Sequence, residues 1–245
     1  VELNVFPNLD ELSRQAAARF ARMARETVRE HGRFTVCLSG GSTPRQTYSL
    51  AAQEPPRSQI PWDAVHIFWG DERCVPLARP DNHFTMTMEL LISRVPIPKG
   101  SVHRMRGEAA NPHEAAPEYE ASLREFFGLG PTGIPRFDLI LLGMGADGHT
   151  ASLFPGSPGL EERDKLVVAH YVPKVGMNRL TLTYPVLNNA RVIMFLAAGN
   201  EKAEALKSVL ADDTCGPILP ARLVKPVEGE VIWMVDRAAA RLLDR

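Results

Sequence analysis

The run Phe137-Asp-Leu-Ile-Leu-Leu-Gly-Met-Gly-Ala-Asp-Gly-His-Thr-Ala-Ser-Leu-Phe-Pro-Gly156 carries an apolar strand directly into a glycine-rich turn that holds Asp147 and His149. An imidazole there can serve as a general base, and the acid beside it can hold the ring in one tautomer. The carboxyl ends of strands in an open parallel sheet are where α/β proteins bind and transform ligands. On these residues alone, a loop histidine satisfied by Asp147 is an equally open reading.

Gly143, Gly145 and Gly148 also satisfy G-x-G-x-x-G after a strand, the spacing of a dinucleotide site. Such a site needs its third glycine to open a helix whose N-terminus faces pyrophosphate. Here Pro155, Gly156, Pro158 and Gly159 intervene before three turns can form, and no acid follows about twenty positions on. No dinucleotide cofactor is expected. The chain has no H-E-x-x-H, and two potential ligands do not make a zinc site, so no metal is expected either. A G-x-S-x-G nucleophile turn is also missing.

A second segment, Ser39-Gly-Gly-Ser-Thr-Pro44, lies between a predicted strand and a helix start. Backbone N–H groups, two hydroxyls and the positive end of a helix can converge there on an anion such as phosphate. The Walker A spacing and its lysine are absent, and an ordinary turn with Thr43 as N-cap stays open. Trp69-Gly-Asp-Glu-Arg73 follows another apolar run and brings Asp71, Glu72 and Arg73 to the same predicted sheet edge; alone it also fits a solvated loop. Arg179, at the start of a predicted strand, and Lys202, after another, offer a planar fork and a point charge to a phosphate. Singly, such cations are usually solvated.

The elements that must position these residues follow from periodicity. Asn8 caps a helix with Glu11 bonding back, Leu9, Leu12, Ala16, Phe20, Met23 and Thr27 lie along one face, and Gly32 ends it. Strands are predicted at 34–38, 65–69, 137–142, 166–170, 180–183, 192–197 and 231–235. Helices are predicted from Pro44, over 82–91, from Asn111-Pro112 to near Gly128, and over 200–210 and 236–243. The alternation predicts βαβ units around a largely parallel sheet. Glu54-Pro-Pro-Arg57 and 130–135 read as short surface connections.

At 245 residues the chain fits one α/β domain. A hydrophobic share of 44% with 23% charged residues is that of a globular protein, and a net charge of −1 offers no nucleic-acid or membrane surface. An anionic ligand must therefore be held by a local cluster of cations. Cys37, Cys74 and Cys215 have no paired spacing, which fits a reducing cytoplasm. No signal-peptide pattern opens the chain, and no apolar run approaches the ~20 residues of a membrane span. Because the sequence opens on Val1 with no initiator methionine, we expect the translated product to have carried earlier residues.

Taken in order, Leu38-Ser-Gly-Gly-Ser-Thr-Pro44, Trp69–Arg73, Leu142–Gly156 and Arg179-Leu-Thr-Leu-Thr183 with Gly199-Asn-Glu-Lys202 resemble the glucosamine-6-phosphate isomerase/6-phosphogluconolactonase family, on its lactonase side. The resemblance spans most of the chain. It implies a modified Rossmann-like α/β fold, a mostly parallel sheet flanked by helices in one domain over 1–245. It also implies a metal-free, cofactor-free hydrolase of 6-phospho-D-glucono-1,5-lactone in the oxidative pentose phosphate pathway, cytoplasmic, and a monomer or weak homo-oligomer. Carried over residue by residue, Gly40, Gly41, Ser42 and Thr43 form the phosphate loop, Arg179 and Lys202 are the phosphate cations, and His149 is the base. Arg73 falls on a substrate-contacting position, Asp71 on an orienting one, Asp147 beside the imidazole, and Gly148 among the turn N–H groups that can face the oxyanion. A deaminase would continue its glycine turn with a glutamate, where this chain has Gly148-His-Thr-Ala-Ser-Leu-Phe-Pro-Gly156. That favours lactone hydrolysis over deamination; a sugar-phosphate isomerase stays as the alternative enzyme, and retention of His149 argues against a non-catalytic sugar-phosphate sensor.

Overall fold

The computed structural model describes residues 1–211 and 219–243, so Cys215 lies outside the described residues. Its strands are β1 (Glu2–Phe6), β2 (Phe34–Leu38), β3 (Val65–Trp69), β4 (Asp71–Arg73), β5 (Val102–His103), β6 (Leu139–Gly143), β7 (Val167–Val172), β8 (Met177–Leu182), β9 (Val192–Ala197) and β10 (Glu230–Asp236). The helices are α1 (Leu9–His31), α2 (Pro44–Ala51), α3 (Pro56–Gln59), α4 (His83–Leu90), α5 (Pro112–Phe127), α6 (Tyr184–Leu187) and α7 (Ala203–Leu210). Seven strands form one sheet in the order β1-β10-β9-β6-β2-β3-β5, and every pair in it is parallel.

Strands of a parallel sheet covered on both faces read as continuous apolar runs. That is why Phe34–Leu38 is buried at every position. The chain steps outward from β2 to β3 and β5, then returns to the other side of β2 with β6 and continues through β9 and β10. The strand order therefore reverses between β2 and β6, and the crevice beyond their carboxyl ends is the binding place such a reversal creates.

Around this sheet the helices fall as the periodicity predicts. Asn8 accepts the Glu11 N–H at 2.9 Å, and Gly32 closes α1 with φ +76°. Apolar positions from Leu12 to Ala24 turn inward. The mostly parallel, helix-flanked architecture expected from the sequence is the one observed. No helix among the described residues is long and apolar enough to cross a membrane.

Several local expectations are corrected. The Glu11 carboxylate bonds Arg14 and Gln15 rather than reaching back to Asn8, because two longer donors lie one turn on. Residues 200–202 form a 3-10 turn before α7, and Pro56–Gln59 is a short helix within the expected surface connection. The expected helix over 236–243 is a series of turns, held by Asp236, whose Oδ1 accepts the Ala239 N–H at 2.7 Å. Arg179 lies inside β8, not at its start.

The largest departure is a second sheet. Strands β4, β8 and β7 pair antiparallel, with Asp71 opposite Thr181 and Arg73 opposite Arg179. It is stitched to the main sheet through Gly70, whose N–H donates to Leu38 O at 2.9 Å and whose carbonyl accepts from Leu182 N at 2.8 Å. Asp71–Arg73 thus forms a short buried strand and not a solvated loop.

Candidate active site

The crevice at the β2/β6 reversal is a cleft of about 150 Å³. Its lining joins the loop expected to hold phosphate (Gly40, Gly41, Ser42, Thr43) to Asp71, Arg73, His149, Arg179 and Lys202. Of the residues singled out by sequence, Asp147 and Gly148 lie behind this surface.

The loop after β2 is held by a device the sequence reading missed. Tyr48, on α2, donates its hydroxyl to Ser39 O at 2.7 Å and accepts from Ser39 N at 3.1 Å. Tyr119, on α5, does the same for the end of β3, accepting from Trp69 N at 3.0 Å and donating to its carbonyl at 3.2 Å. Both tyrosines are buried. Thr43 is no ordinary cap, since its backbone is helical (φ −62°, ψ −47°) and its side chain makes no capping bond. That leaves its hydroxyl on the cleft at the positive end of α2. Gly40 is required by close approach, because a methyl group there would lie 1.9 Å from the His83 ring.

The turn after β6 folds on itself. Gly145 N donates to His149 O at 2.9 Å, Gly148 N to Gly145 O at 3.0 Å, and the Thr150 hydroxyl to Gly143 O at 2.8 Å. The Gly148 carbonyl accepts from Ala221 N at 2.9 Å. The Gly145 and Gly148 N–H groups are thus occupied within the turn. A methyl group on Gly145 would lie 2.0 Å from His149 Nδ1, so only glycine lets the imidazole fold back here.

That fold brings His149 Nδ1 to 2.5 Å from Asp147 Oδ1. A carboxylate only accepts, so Nδ1 carries a proton, and in the neutral ring Nε2 then presents its lone pair. Burial pushes the Asp147 carboxyl up, but its bonds to His149 and Lys174 outweigh that and hold it well below the ordinary carboxylate range. Phe154 stacks on the imidazole, with ring centroids 4.0 Å apart and planes 18° from parallel. Phe154 belongs to the quoted motif, but nothing in its spacing distinguishes a stacking partner from a core residue.

On the opposite wall Asp71 is almost fully buried, and one of its carboxylate oxygens is hydrogen-bonded. Oδ2 accepts the Ser152 hydroxyl at 2.7 Å, and Oδ1 lies 3.5 Å from His83 Nδ1, which also sits 3.1 Å from the Asp71 carbonyl. Ala151, between the base and Ser152, adopts φ +48°, a conformation costly for a residue with a side chain. Glu72 is structural, accepting the backbone N–H groups of Arg73, His83 and Phe84 at 2.7–2.8 Å.

Arg73 and Arg179 sit side by side across β4 and β8. Arg179 is 6% exposed, and burial pushes its guanidinium below its ordinary value, opposed by the nearby charge of Asp71. The Nε atoms of both arginines are buried without a hydrogen-bond partner among the described residues. A buried guanidinium N–H lacking a partner is costly. Lys202 joins them from the turn after β9, where the Gly199 N–H is held by Asp236 at 3.1 Å. His83 and Ser152 escaped the sequence reading because a lone histidine or serine carries no spacing signal until the fold brings it against Asp71.

Among the described residues no group of three or more His, Cys, Asp or Glu is arranged to hold a metal ion. Fold and cleft together define an α/β protein with a histidine–aspartate turn and a cluster of cations at one topological reversal. The family described as glucosamine-6-phosphate isomerases/6-phosphogluconolactonase matches residues 7–233, and this chain belongs to it. It is 39% identical over 242 residues to the 6-phosphogluconolactonase of Synechocystis sp., covering 99% of this chain and 98% of that one. To the 6-phosphogluconolactonase of Nostoc sp. it is 41% identical, covering 86% and 85%. The solved 6-phosphogluconolactonase of Trypanosoma brucei superposes with a TM-score of 0.88 at 29% identity, covering 99% of this chain and 98% of that one.

Proposed function

We propose that this chain hydrolyses 6-phospho-D-glucono-1,5-lactone to 6-phospho-D-gluconate, a step of the oxidative pentose phosphate pathway. The observation that carries the reading is the placement of His149 in the same cleft as Arg73 and Arg179, whose Nε atoms are buried without a partner among the described residues, and the α2 N-terminus. In this reading the loop at Gly40–Thr43, Arg179 and Lys202 hold the phosphate, laying the lactone carbonyl beside His149. The Nε2 lone pair takes a proton from an attacking water, Asp147 keeps Nδ1 protonated, and the tetrahedral intermediate expels the ring oxygen, which His149 reprotonates. With the Gly145 and Gly148 N–H groups engaged inside the turn, the oxyanion role passes to Arg73. Asp71 orients this wall through Ser152 and His83. Lactone hydrolysis has no carbanion step, so proton abstraction from carbon is not assigned to Asp71.

The reading takes 1–245 as one lactonase unit, cytoplasmic and without a metal or organic cofactor, acting as a monomer or weak homo-oligomer. The test is lactone hydrolysis corrected for spontaneous opening, run beside ammonia release from glucosamine 6-phosphate. Enzyme-dependent hydrolysis without ammonia release is expected. Faster ammonia release would move the chain to the deaminase side of the family.

A further inference from the structure

The turn joining β7 to β8 reaches the catalytic turn from outside the main sheet. Its Lys174 places Nζ 2.5 Å from Asp147 Oδ2, the carboxylate oxygen that does not face the imidazole. Asp147 Oδ1 meanwhile accepts from His149 Nδ1 at 2.5 Å and from the His149 N–H at 3.2 Å. The carboxylate is thus held at both ends by elements 27 positions apart in sequence. The β7–β8 turn has no other bond to Asp147 or His149.

We propose that Lys174 is a positioning residue, fixing the Asp147 carboxylate so that Oδ1 stays on His149 Nδ1 and Nε2 stays aimed at the cleft. The inference rests on His149 acting as the base. Asp147 sits in a turn, followed by glycine and partly exposed to solvent, where such a tether adds a hold from outside the turn. An aspartate held only by its own neighbour can rotate about its terminal torsion, which is soft and roughly two-fold. Each rotation away from Nδ1 releases the other tautomer, which presents an N–H at Nε2 and cannot take a proton. Lys174 itself is 62% exposed, so it adds a single charge-assisted contact and removes little surface from water. Its effect should therefore be modest and confined to turnover. Arg73, Arg179 and Lys202 face the same imidazole from β4, β8 and the turn after β9, but they lie on the cleft, whereas Lys174 does not.

The test is a double-mutant cycle with steady-state kinetics. Lys174→Met should lower kcat about three- to ten-fold, the range of one partly exposed charge-assisted contact, with KM changed less than about two-fold. Lys174→Arg should recover most of that loss. In an Asp147→Asn background Lys174→Met should have no further effect, since the contact it removes is already gone. Imidazole ¹⁵N shifts read the same point without turnover, with one tautomer expected in the parent and a mixture in Lys174→Met. An unchanged tautomer in Lys174→Met overturns the proposal. So does a loss carried by KM, or one of equal size with and without Asp147. Failure of the base assignment looks different, because His149→Ala would then keep its activity while the tautomer still responds to Lys174.

Discussion

The two walls of the cleft are built on different principles. The floor is made by the ends of parallel strands, where β2 and β6 deliver the Gly40–Thr43 loop and the His149 turn as contiguous motifs of glycine and polar residues. The opposite wall is the small antiparallel sheet, where Asp71, Arg73 and Arg179 meet only because β4 and β8 pair. Chemistry carried on one turn is ordered by local backbone bonds, whereas chemistry shared between strands depends on register. A one-residue slip between β4 and β8 would turn their side chains to the other face. In the proposed reading the His149 turn of the floor governs turnover, and Arg179 of the wall governs binding.

His149→Ala breaks the floor most severely. The fold should survive, because the ring is partly exposed, and kcat should fall by about 10²–10⁴ with little change in KM. A variant within a few-fold of the parent would remove His149 from the mechanism. Arg179→Ala breaks the wall. It should raise KM by about one to two decades, the worth of a charge-assisted contact, with Lys202→Ala following the same direction from a more exposed position. Calorimetry with 6-phosphogluconate gives the check, and unchanged affinity in both variants would contradict the phosphate assignment.

A smaller effect sharpens the contrast in stability. Tyr48→Phe leaves Ser39 N and O buried without their partner and should cost about 1–3 kcal/mol in urea unfolding. The smallest effect is one of pH. Asp147 is held below its reference value of 3.8, so it stabilises the folded state fully above that pH and less as pH falls below it towards the folded-state value. The stability difference between parent and Asp147→Asn should accordingly shrink between pH 6 and pH 3. A difference independent of pH would mean that the carboxylate is not held by His149 and Lys174.

The floor was legible in the sequence because its signals are local. Phe34–Leu38 followed by Ser-Gly-Gly-Ser-Thr-Pro and Leu139–Gly143 followed by a glycine turn give both the strand and the chemistry within one run of residues. The wall was not legible. Asp71–Arg73 is too short and too charged to read as a strand, and its partner in β8 lies more than a hundred residues away. Glu2–Phe6 and Val102–His103 were missed for related reasons: the first alternates at a half-exposed sheet edge, and the second has two residues. Lys174 and His83 reach the site through tertiary packing alone, and Phe154 and Ser152, although in the quoted motif, carry no spacing signal of their own. Residues 236–243 failed in the other direction, since an alanine-rich pattern with helical propensity yields to turns capped by Asp236.

The most direct test of the central claim compares the phosphorylated lactone with unphosphorylated glucono-1,5-lactone, which offers His149 the same ester. If the loop at Gly40–Thr43 with Arg179 and Lys202 converts remote binding energy into alignment of the carbonyl, kcat/KM should favour the phosphorylated substrate by orders of magnitude. That preference should shrink in high salt as the charges are screened. Comparable efficiency on the two lactones at low ionic strength would contradict it.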